Sequence, residues 1–374
     1  MTLVIISHTE HYKTDDGTLV GWGPTISEIN HLVAHFDKII HVAMLHDGKA
    51  PPSALPYTSE RITFVSIPAL GGRGIGSKLK SMVYAPKVIR SVAKVLREAT
   101  VFQLRTPTGI GVYLIPYLTF FNKTKGWYKY AGNWNQTHPP LGYRLQRWML
   151  KHQSRRVTIN GRWEGQPKHC LTFENPCLTE AEVALGATYS TSREWPTVWN
   201  FCYVGRLESE KGVGRILDAF KALSVDEKAK IGTLHLVGDG PERSQFEAIS
   251  KEVGVTVVFH GFLPRTEVFA IYKQCHGFIM PTTASEGFPK VIAEAMNFGC
   301  IPLVSNISAI GHYIHAKNGF LISPVNTNTI VKTILALVEI DESEYDSLVK
   351  NSSSIVEMFT FEYYNKRILK VIKS

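Results

Sequence analysis

The chain has 374 residues, of which 44 % are hydrophobic and 20 % are charged. This composition excludes a disordered or fibrous protein, and the length allows two domains with separate cores. The formal net charge of +9 is uneven: through Trp195 we count 23 Lys and Arg against 13 Asp and Glu, and beyond it 18 against 19. Either the first half meets an anionic partner, such as a membrane surface or a phosphorylated acceptor, or the surplus cations only solvate its surface.

The first residues, Met1–Ser7, form a short apolar run without a basic leader, which predicts a buried strand rather than a signal peptide. The apolar stretch 109–121 is too short to span a bilayer and contains Pro116. Five cysteines without any Cys-x-x-Cys pair predict neither structural disulfides nor a zinc site. No nucleic-acid-binding motif is visible. We therefore expect a cytoplasmic protein, with peripheral attachment to the inner face of the membrane as a further option.

In the first half, β-branched runs alternate with helical patterns, which is typical of a parallel sheet with crossover helices. The predicted helices cover 24–36, 85–98 and 141–152. In the third, Leu141, Leu145, Trp148 and Met149 share one face, and Arg144, Arg147 and Lys151 lie on the opposite face. The predicted strands are 3–7, 38–45, 62–67, 101–104, 126–130 and 157–159.

A Ser, Thr, Trp and Pro-rich segment at 188–197 predicts a linker, after which a second alternating series begins. Its predicted strands are 201–204, 233–237, 255–259, 277–280, 301–304 and 319–322, and its predicted helices are 212–223, 242–253, 265–274 and 289–298. Two doubly wound units imply a cleft between them, where ligands bind at the carboxyl ends of strands. We expect domains at 1–193 and 194–357, and a terminal amphipathic helix at 358–374.

The second series opens with Val204-Gly-Arg-Leu-Glu-Ser-Glu-Lys-Gly212. A strand ends in Gly205 and Arg206, and Lys211 and Gly212 then start a helix. Backbone amides at this turn, together with two cations, suit a diphosphate. The alternative is that both cations are ordinary solvated loop residues.

The loop Pro281-Thr-Thr-Ala-Ser-Glu-Gly-Phe-Pro-Lys-Val-Ile-Ala-Glu-Ala-Met296 is more specific. Pro289 suits the first helical position because its missing N–H costs nothing there. Backbone amides at the helix start would attract an anion. Glu294, more than one turn into the helix, could accept both hydroxyls of a ribose. The alternative is an ordinary amphipathic helix with acidic residues near its start.

These segments resemble motifs of glycosyltransferase family 4 of the group 1 glycosyltransferases. Three further segments add to the resemblance in the family's order: Leu236-Val-Gly-Asp-Gly-Pro-Glu-Arg243, Phe259-His-Gly-Phe-Leu263 and Gly299-Cys-Ile-Pro302. The resemblance covers about 198–324. It implies the GT-B fold, an α/β architecture in which two Rossmann-like doubly wound domains face a central cleft, and it implies transfer with retention of anomeric configuration. In the family, the terminal helix crosses back onto the first domain.

The resemblance also implies roles for individual residues. Arg206 and Lys211 would neutralise the donor diphosphate as it binds and departs, Glu286 would hold the transferred sugar, and Glu294 would hold the ribose. The implied catalytic residues are Glu286, Arg206 and Lys211. The implied donor-binding residues are Gly205, Arg206, Lys211, Gly261, Phe262, Leu263, Glu286, Gly287, Phe288, Pro289, Lys290, Val291 and Glu294, with the loop 261–263 lying against the base.

The first half matches this family more loosely, and the acceptor side stays open. Gly23 lies in Gly21-Trp-Gly-Pro24, where the family has a Gly-rich loop. Arg105 follows a strand and would bind acceptor or donor phosphate, unless it forms a salt bridge. Asn133 and His138 are both candidates for the His that reaches the transferred sugar in family members. Pro289 stands where many relatives have Gly, which removes one amide from the donor loop.

The predicted function is a retaining hexosyl-type transfer from a UDP- or GDP-sugar to a hydroxyl acceptor, a saccharide or lipid-linked saccharide in surface polysaccharide synthesis. The chain contains no Asp-x-Asp, so we expect no metal and no other cofactor. The alternatives are a non-catalytic nucleotide-sugar-binding protein and a nucleotide-sugar epimerase. A glycan phosphorylase would need a longer chain and a cofactor lysine, and an oxidoreductase would need a Gly-x-Gly-x-x-Gly motif.

Overall fold

A computed structural model of the chain describes residues 1–70, 74–191 and 193–373. It divides into one unit of Met1–Asn175 with Phe361–Ser374 and a second unit of Pro176–Thr360. This division lies ahead of the domain boundary at 193 expected from the sequence. The reason is that the helix Glu180–Thr191 packs on the second unit, where Asn297 Nδ2 donates to Glu182 O at 2.9 Å.

The first unit contains a nine-stranded sheet in which β1 pairs with β2, β3 and β6. All pairs are parallel except β1–β2 and β2–β4, which are antiparallel. The strands are β1 (Thr2–Lys13), β2 (Leu19–Trp22), β3 (Lys38–Leu45), β4 (Ala54–Pro56), β5 (Ile62–Pro68), β6 (Val101–Thr106), β7 (Lys125–Tyr130), β8 (Val157–Ile159) and β9 (Cys170–Thr172).

Every strand expected in this unit is present, but β1 runs six residues beyond the expected end at Ser7 and turns back into β2. Gly17 forms the turn with φ of +82°, a conformation that glycine adopts without the steric cost of a side chain. Asp15-Asp16-Gly17 is a hairpin signal that the sequence analysis missed.

Five helices follow the strands of this unit: α1 (Gly23–Leu32), α2 (Ile75–Val83), α3 (Ala85–Leu96), α4 (Gly111–Pro116) and α5 (Leu141–Lys151). Alternate residues of β1 enter two cores, with Val4 and Ile6 in one and Leu3 and Ile5 in the other. This alternation follows from the two-residue period of a strand. The sheet is therefore covered on both faces, as expected of a doubly wound fold.

The helix α5 leaves much of its apolar face exposed. The helix buries Gln146 and Leu150, whereas Leu141 is 75 % exposed and Trp148 is 58 % exposed. Gln146 is buried because its side chain serves the backbone of the preceding loop: Oε1 accepts from Thr108 N at 3.1 Å, and Nε2 donates to Thr108 O at 2.8 Å. The backbone N–H and C=O of Thr108 thus find their partners in one polar side chain on the buried side of the helix, next to the apolar Leu150.

The second unit contains a six-stranded, fully parallel sheet in the order β12-β11-β10-β13-β14-β15. The strands are β10 (Trp199–Val204), β11 (Ile231–Val237), β12 (Thr256–Gly261), β13 (Gly277–Met280), β14 (Ile301–Ser305) and β15 (Phe320–Ile322). The helices are α6 (Glu180–Thr191), α7 (Val213–Ala222), α8 (Val225–Ala229), α9 (Arg243–Ser250), α10 (Arg265–Gln274), α11 (Lys290–Asn297), α12 (Thr327–Val338) and α13 (Glu342–Glu357). The predicted α/β class with two doubly wound sheets is confirmed.

The last helix, α14 (Phe361–Lys373), belongs to the first unit. Tyr364 and Ile368 enter its core beside Leu3 and Ile5. Asn365 Nδ2 also donates to His31 O at 3.1 Å on α1. The amphipathic pattern at the end of the chain therefore has a structural use within this unit.

Over the described residues, no helix is long and apolar enough to cross a membrane. In the same part of the chain, no three His, Cys, Asp or Glu side chains are grouped as a metal site would require. The five cysteines are all free and buried.

Candidate functional site

The order of strands in the second unit locates its binding edge. The chain runs outward from β10 to β11 and β12, and then returns to β13 on the other side of β10. In open α/β sheets, ligands bind at the carboxyl ends of the strands beside such a reversal. Both motifs that carry the predicted donor residues begin at this edge, one after β10 and the other after β13.

Glycines bring the loops at this edge into backbone contact. Gly238 has φ of +128°, and a Cβ there would overlap Gly205 O. Gly238 N also donates to Gly261 O at 2.8 Å. The loops after β10, β11 and β12 therefore meet at three glycines, and any side chain at Gly238 would force them apart.

The loops after β10 and β13 form one platform. Glu210 O accepts from Thr283 N at 2.8 Å and from Thr282 Oγ1 at 3.1 Å. Arg215 Nε donates to Pro281 O at 3.0 Å. The predictions omitted Arg215, which is a helical residue whose partner lies 66 residues further along the chain. These bonds fix the spacing of the two motifs.

Arg206 extends from this platform into solvent. Its side chain is 71 % exposed and makes one ion pair, from Nη2 to Glu208 Oε1 at 2.5 Å. Its backbone is held by Tyr203, whose Oη donates to Arg206 O at 2.7 Å. The main chain is therefore fixed, while the guanidinium keeps donors available for an anionic ligand.

Lys211 and Glu286 form an ion pair with each other. Their side chains are 20 % and 36 % exposed, so water reaches both. The family resemblance predicts separate partners for them, the diphosphate for Lys211 and the sugar for Glu286, and the structure brings the two side chains together. A lysine ammonium has three donors, so this pair leaves Lys211 able to bind a further anion.

The helix α11 begins one residue later than predicted. Pro289 is its N-cap, with φ of −66° and ψ of 118°, and Lys290 is the first helical residue. The extended ψ of Pro289 keeps it outside the helix. The Phe288 side chain is buried against Tyr313 and Phe359, so only its backbone can bind a ligand.

Glu294 lies in a network that the sequence did not predict. Arg265 Nη1 donates to Glu294 Oε1 at 2.7 Å, and Arg265 Nε donates to Glu182 Oε1 at 2.9 Å. Arg265 also donates to Cys177 O. Burial alone would lower the pKa of Arg265, but its bond to Glu182 and the charge of Glu294 raise it. Arg265 thus fixes one edge of the predicted ribose-binding carboxylate.

The loop after β12 presents an apolar side chain to solvent. Phe262 is among the exposed large hydrophobic residues, and Leu263 beside it is half-buried. Gly261 has φ of +68°, which turns the chain sharply at this point. An exposed ring at the strand edge suits a planar ligand group.

The predicted acceptor-side residues lie in the first unit and have different surroundings. Gly23 begins α1, and a Cβ there would overlap Ser53 O. Arg105 forms the salt bridge left open as its alternative: Nη2 contacts Glu28 Oε1 at 2.5 Å, and Nε donates to Gln103 Oε1 at 3.0 Å.

Asn133 and His138 both lie in the loop after β7. Asn133 Oδ1 accepts from Asn135 N at 3.0 Å, which shapes the turn. His138 is exposed. Both therefore stay predictions for the residue that reaches the transferred sugar.

Residues 193–354 match the family model described as glycosyl transferases group 1. The chain is 28 % identical over 189 residues to a lipopolysaccharide 1,6-galactosyltransferase of Salmonella typhimurium, covering 48 % of this chain and 51 % of that protein. It is 36 % identical over 86 residues to a 2-deoxystreptamine glucosyltransferase of Streptomyces kanamyceticus, covering 22 % of each. The matched segments thus span about half, or less, of these relatives.

Solved structures resemble the whole chain. HepE of Anabaena in complex with UDP superposes with a TM-score of 0.72 at 16 % identity, covering 100 % of both chains. WaaG, a glycosyltransferase involved in lipopolysaccharide biosynthesis, has a TM-score of 0.64 at 14 % identity and covers 99 % of both. At such identities the likeness shows the fold alone, which is GT-B as expected. The match to the model of the group 1 glycosyl transferases covers residues 193–354, which is less than half of the chain.

Proposed function

We propose that the chain is a retaining glycosyltransferase that moves a sugar from a UDP- or GDP-sugar to a hydroxyl acceptor. The observation that carries the proposal is the platform of the second unit. Arg206, Lys211 and Glu286 lie on its two hydrogen-bonded loops at a strand edge, and Glu294 lies in the helix α11 that follows the second loop. The family match and a fold relative that binds UDP support it.

On this proposal the donor lies across the platform. Arg206 and Lys211 bind the diphosphate, and amides of the loop 287–291 bind phosphate and sugar. Glu286 takes hydroxyls of the transferred sugar. Glu294 binds the ribose through Oε2, since Arg265 already occupies Oε1. Phe262 lies against the base.

The chemistry is electrostatic. As the bond from the anomeric carbon to the diphosphate oxygen breaks, negative charge grows on that oxygen, and Arg206 and Lys211 stabilise it. The acceptor oxygen attacks from the face that the diphosphate leaves, and the departing phosphate oxygen takes the acceptor proton. This step yields a glycoside of retained configuration and a protonated nucleoside diphosphate, with no protein base and no metal.

The proposal extends to surface polysaccharide synthesis at the cytoplasmic face of the membrane, with a saccharide or lipid-linked saccharide as acceptor. Relatives named as lipopolysaccharide 1,6-galactosyltransferases in Salmonella typhimurium and Escherichia coli support this context. A non-catalytic nucleotide-sugar-binding protein or an epimerase is the alternative, and product analysis separates them.

The first experiment is a thermal-shift screen with UDP- and GDP-sugars, because a ligand of the folded state raises the melting temperature. Any sugar that shifts it is then incubated with simple glycosides and excess chelator. We expect a glycoside product whose anomeric proton coupling by NMR matches that of the donor. Inversion would contradict retention, and activity that returns only with magnesium or manganese would contradict metal independence.

We also propose that the first unit docks on anionic membranes. The helix α5 exposes Leu141, Leu145 and Trp148 beside the cations Arg144 and Lys151. Each cation near an anionic leaflet contributes about 1 kcal/mol, and the exposed apolar groups would insert between headgroups. Arg147 is less available, since its Nη1 donates to Trp134 O at 2.6 Å.

Sedimentation with phosphatidylglycerol vesicles tests this docking. Binding should fall with added salt, and it should fall in the double variant Arg144→Glu and Lys151→Glu and in Trp148→Ser. Reversal of Lys228 and Lys230, cations of the second unit, is the matched control. Indifference of the wild-type chain to anionic vesicles at low salt would show that its charge only solvates the surface.

A further inference from the structure

The segment 236–243 resembles a family motif, but the proposed donor contacts do not use it. It covers the end of β11, the loop that follows and the first residue of α9. This loop lies along the segment 205–212, which we call the cation loop because it carries Arg206 and Lys211. The motif therefore lies where it can control the position of both proposed diphosphate ligands.

Backbone contacts join the motif to the first half of the cation loop. Gly205 N donates to Val237 O at 3.0 Å, and Leu207 N donates to Asp239 O at 3.0 Å. A Cβ built at Gly240 would lie 2.3 Å from Leu207 O, so only glycine permits this approach. The backbone of the motif thus holds the start of the cation loop.

The second half of the cation loop is held by the side chain of Glu242. Its Oε1 accepts from Ser209 N at 2.9 Å, and its Oε2 accepts from Ser209 Oγ. Ser209 begins the short helical turn Ser209–Lys211. Within the described residues, the Glu208 side chain at the usual capping position makes no capping bond, and it pairs with Arg206 instead. Glu242, 33 residues further along the chain, therefore supplies the cap of this turn.

Most backbone amides of the cation loop are committed to protein acceptors. Those that donate within the unit are the amides of Gly205, Leu207, Glu208, Ser209, Lys211 and Gly212. The sequence analysis expected such amides to suit a diphosphate, but these already have partners. The loop therefore offers a phosphate chiefly the side chains of Arg206 and Lys211. Lys211 is the last residue of the capped turn, so the cap bears on where its ammonium lies.

The charge of Glu242 makes a positioning role distinguishable from a simple electrostatic one. Its hydrogen bonds with Ser209, first that of the hydroxyl and then that of the backbone amide, lower the pKa of the carboxyl, so it is ionised near pH 7. A carboxylate near a bound diphosphate repels it. If Glu242 acted by its charge alone, its removal would strengthen binding of the donor. If it acts by holding Lys211 in place, its removal will weaken binding.

We infer that Glu242 is a positioning residue for the donor diphosphate: it caps the turn Ser209–Lys211 and so holds the Lys211 ammonium where the phosphate binds. The inference rests on the proposed transferase function. Glu242 acts through Ser209 and the turn, not on the ligand. Without the cap the turn frays, and the apparent affinity falls with the fraction of molecules that keep Lys211 in place.

Two substitutions of Glu242 and one control test this role in the full chain. Glu242→Ala removes the charge and both bonds to Ser209. Glu242→Gln removes only the charge, because its amide oxygen can accept from Ser209 N and its amide nitrogen can donate to Ser209 Oγ. The matched control is Glu252→Ala, which removes another carboxylate of the second unit whose partner, Lys221, lies outside the cation loop. Water reaches both glutamates, so the melting temperature should stay close to that of the wild type.

Calorimetry with UDP and GDP measures the effect on the ligand. In Glu242→Ala the affinity should fall about three- to thirty-fold, the usual range for the loss of a helix cap. Glu242→Gln should keep or raise the affinity, and Glu252→Ala should not change it. In a Lys211→Ala background, Glu242→Ala should change the affinity by less than about two-fold, because the cation that it positions is gone.

Amide hydrogen exchange of the ligand-free chain, followed by mass spectrometry, reports on the turn without any nucleotide. Exchange across 209–212 should be faster in Glu242→Ala than in the wild type or in Glu242→Gln, because the uncapped turn opens more often. Unchanged exchange in Glu242→Ala would overturn the inference whatever the nucleotide does.

The binding results separate this inference from the proposed function. Equal or stronger nucleotide binding by Glu242→Ala would overturn the inference and leave the proposed function intact. Equal losses in Glu242→Ala and Glu242→Gln would also overturn it, since glutamine retains the cap, and so would an undiminished effect in the Lys211→Ala background. A wild-type chain that binds neither UDP nor GDP would contradict the proposed function, and with it the inference.

Discussion

Each unit has a cluster of paired charges, and the two clusters differ in how far water reaches them. In the first unit, Glu28 is 2 % exposed and binds both Arg105 and Lys129, which are themselves almost fully buried. In the second unit, Lys211 and Glu286 bind each other where water reaches both side chains. We call the first the closed cluster and the second the open cluster.

The difference teaches how to interpret an arginine or lysine on a strand or just after one. Arg105 lies on β6 and Arg206 follows β10, so the two occupy comparable places in their sheets. Thr25 and Glu28 on α1 satisfy two nitrogens of the Arg105 guanidinium. Within the part of the chain that the structure describes, the Arg206 guanidinium pairs only with Glu208. A buried partner from the same unit makes a cation structural, and its absence leaves the cation for a ligand.

The largest expected effect comes from breaking the closed cluster. Glu28→Gln leaves Arg105 and Lys129 buried without a counter-charge, and breaking a buried pair in this way costs about 3–5 kcal/mol. Urea denaturation followed by tryptophan fluorescence measures the loss. Glu286→Gln is the matched control in the open cluster, and it should change the free energy of unfolding by less than about 1 kcal/mol. Equal losses would remove the distinction between the clusters.

Acid should next destabilise the first unit, through two buried histidines, one of which feels the charge of Arg105 in the closed cluster. Burial lowers the pKa of His11 to about 4, and His41, which bonds the same Tyr57 hydroxyl, has its pKa lowered by burial, His11 and Arg105. The unfolded chain therefore binds more protons below pH 6.5, so stability is full above pH 6.5 and falls as the pH decreases towards 4.

For His11 the loss is at most roughly 3 kcal/mol, since each pKa unit corresponds to about 1.4 kcal/mol. His11→Gln keeps a hydrogen-bonding group that does not titrate. It should flatten the pH dependence of the free energy of unfolding between pH 6.5 and 4. An unchanged slope would show that His11 is not one of the titrating groups.

In the second unit, Glu286 of the open cluster and Glu294 should affect different ligands, the transferred sugar and the nucleotide respectively. Glu294→Ala should weaken binding of the free nucleoside diphosphate by about 1.5–3 kcal/mol, the value of a hydrogen bond to a charged group. Glu286→Ala should leave that affinity unchanged and reduce transfer, since its proposed partner is the sugar. Calorimetry with UDP and GDP measures both. Equal losses of affinity would reject this division of roles.

The sequence predicted the elements better than their surroundings. Strand positions follow from β-branched runs, which is why all twelve predicted strands are present. The β1–β2 hairpin depends on the backbone conformation of Gly17, and the burial of α5 depends on the contact of Gln146 with Thr108. Hydrophobic periodicity reveals neither. A hydrophobic pattern shows which side of a segment can be buried. Backbone groups that need hydrogen-bond partners can cause a different side to be buried.

The motifs predicted the loops of the candidate site, but they did not predict the side chains that join these loops to the rest of the unit. Arg215 and Arg265 are helical arginines whose partners lie 66 and 29 residues further along the chain. Neither stands within a motif, so spacing gave no signal for it. The closed cluster was hidden for the same reason, because Glu28 is 77 residues from Arg105. Contacts between residues so far apart in the sequence depend on the topology of the sheet, that is, on the order of its strands.

The smallest effect on stability should come from Arg206. Exposed ion pairs contribute about 0.2–1 kcal/mol, so Glu208→Ala and Arg206→Ala should both leave the urea midpoint nearly unchanged. Binding should differ sharply between them. Arg206→Ala removes a cation from the diphosphate and should weaken donor affinity, whereas Glu208→Ala frees the guanidinium and should not weaken it.

Arg206→Lys sharpens this last test, because lysine restores the charge without the planar pair of donors. Partial recovery of donor affinity is expected, since charge and geometry both contribute to binding a diphosphate. The contrasting variant is Arg105→Lys in the closed cluster. Because Arg105 is largely buried and has three fixed hydrogen-bond partners, its replacement by lysine should lower the free energy of unfolding. If Arg206→Lys instead lowered stability as much as Arg105→Lys, exposure would not be what separates a ligand-binding cation from a structural one.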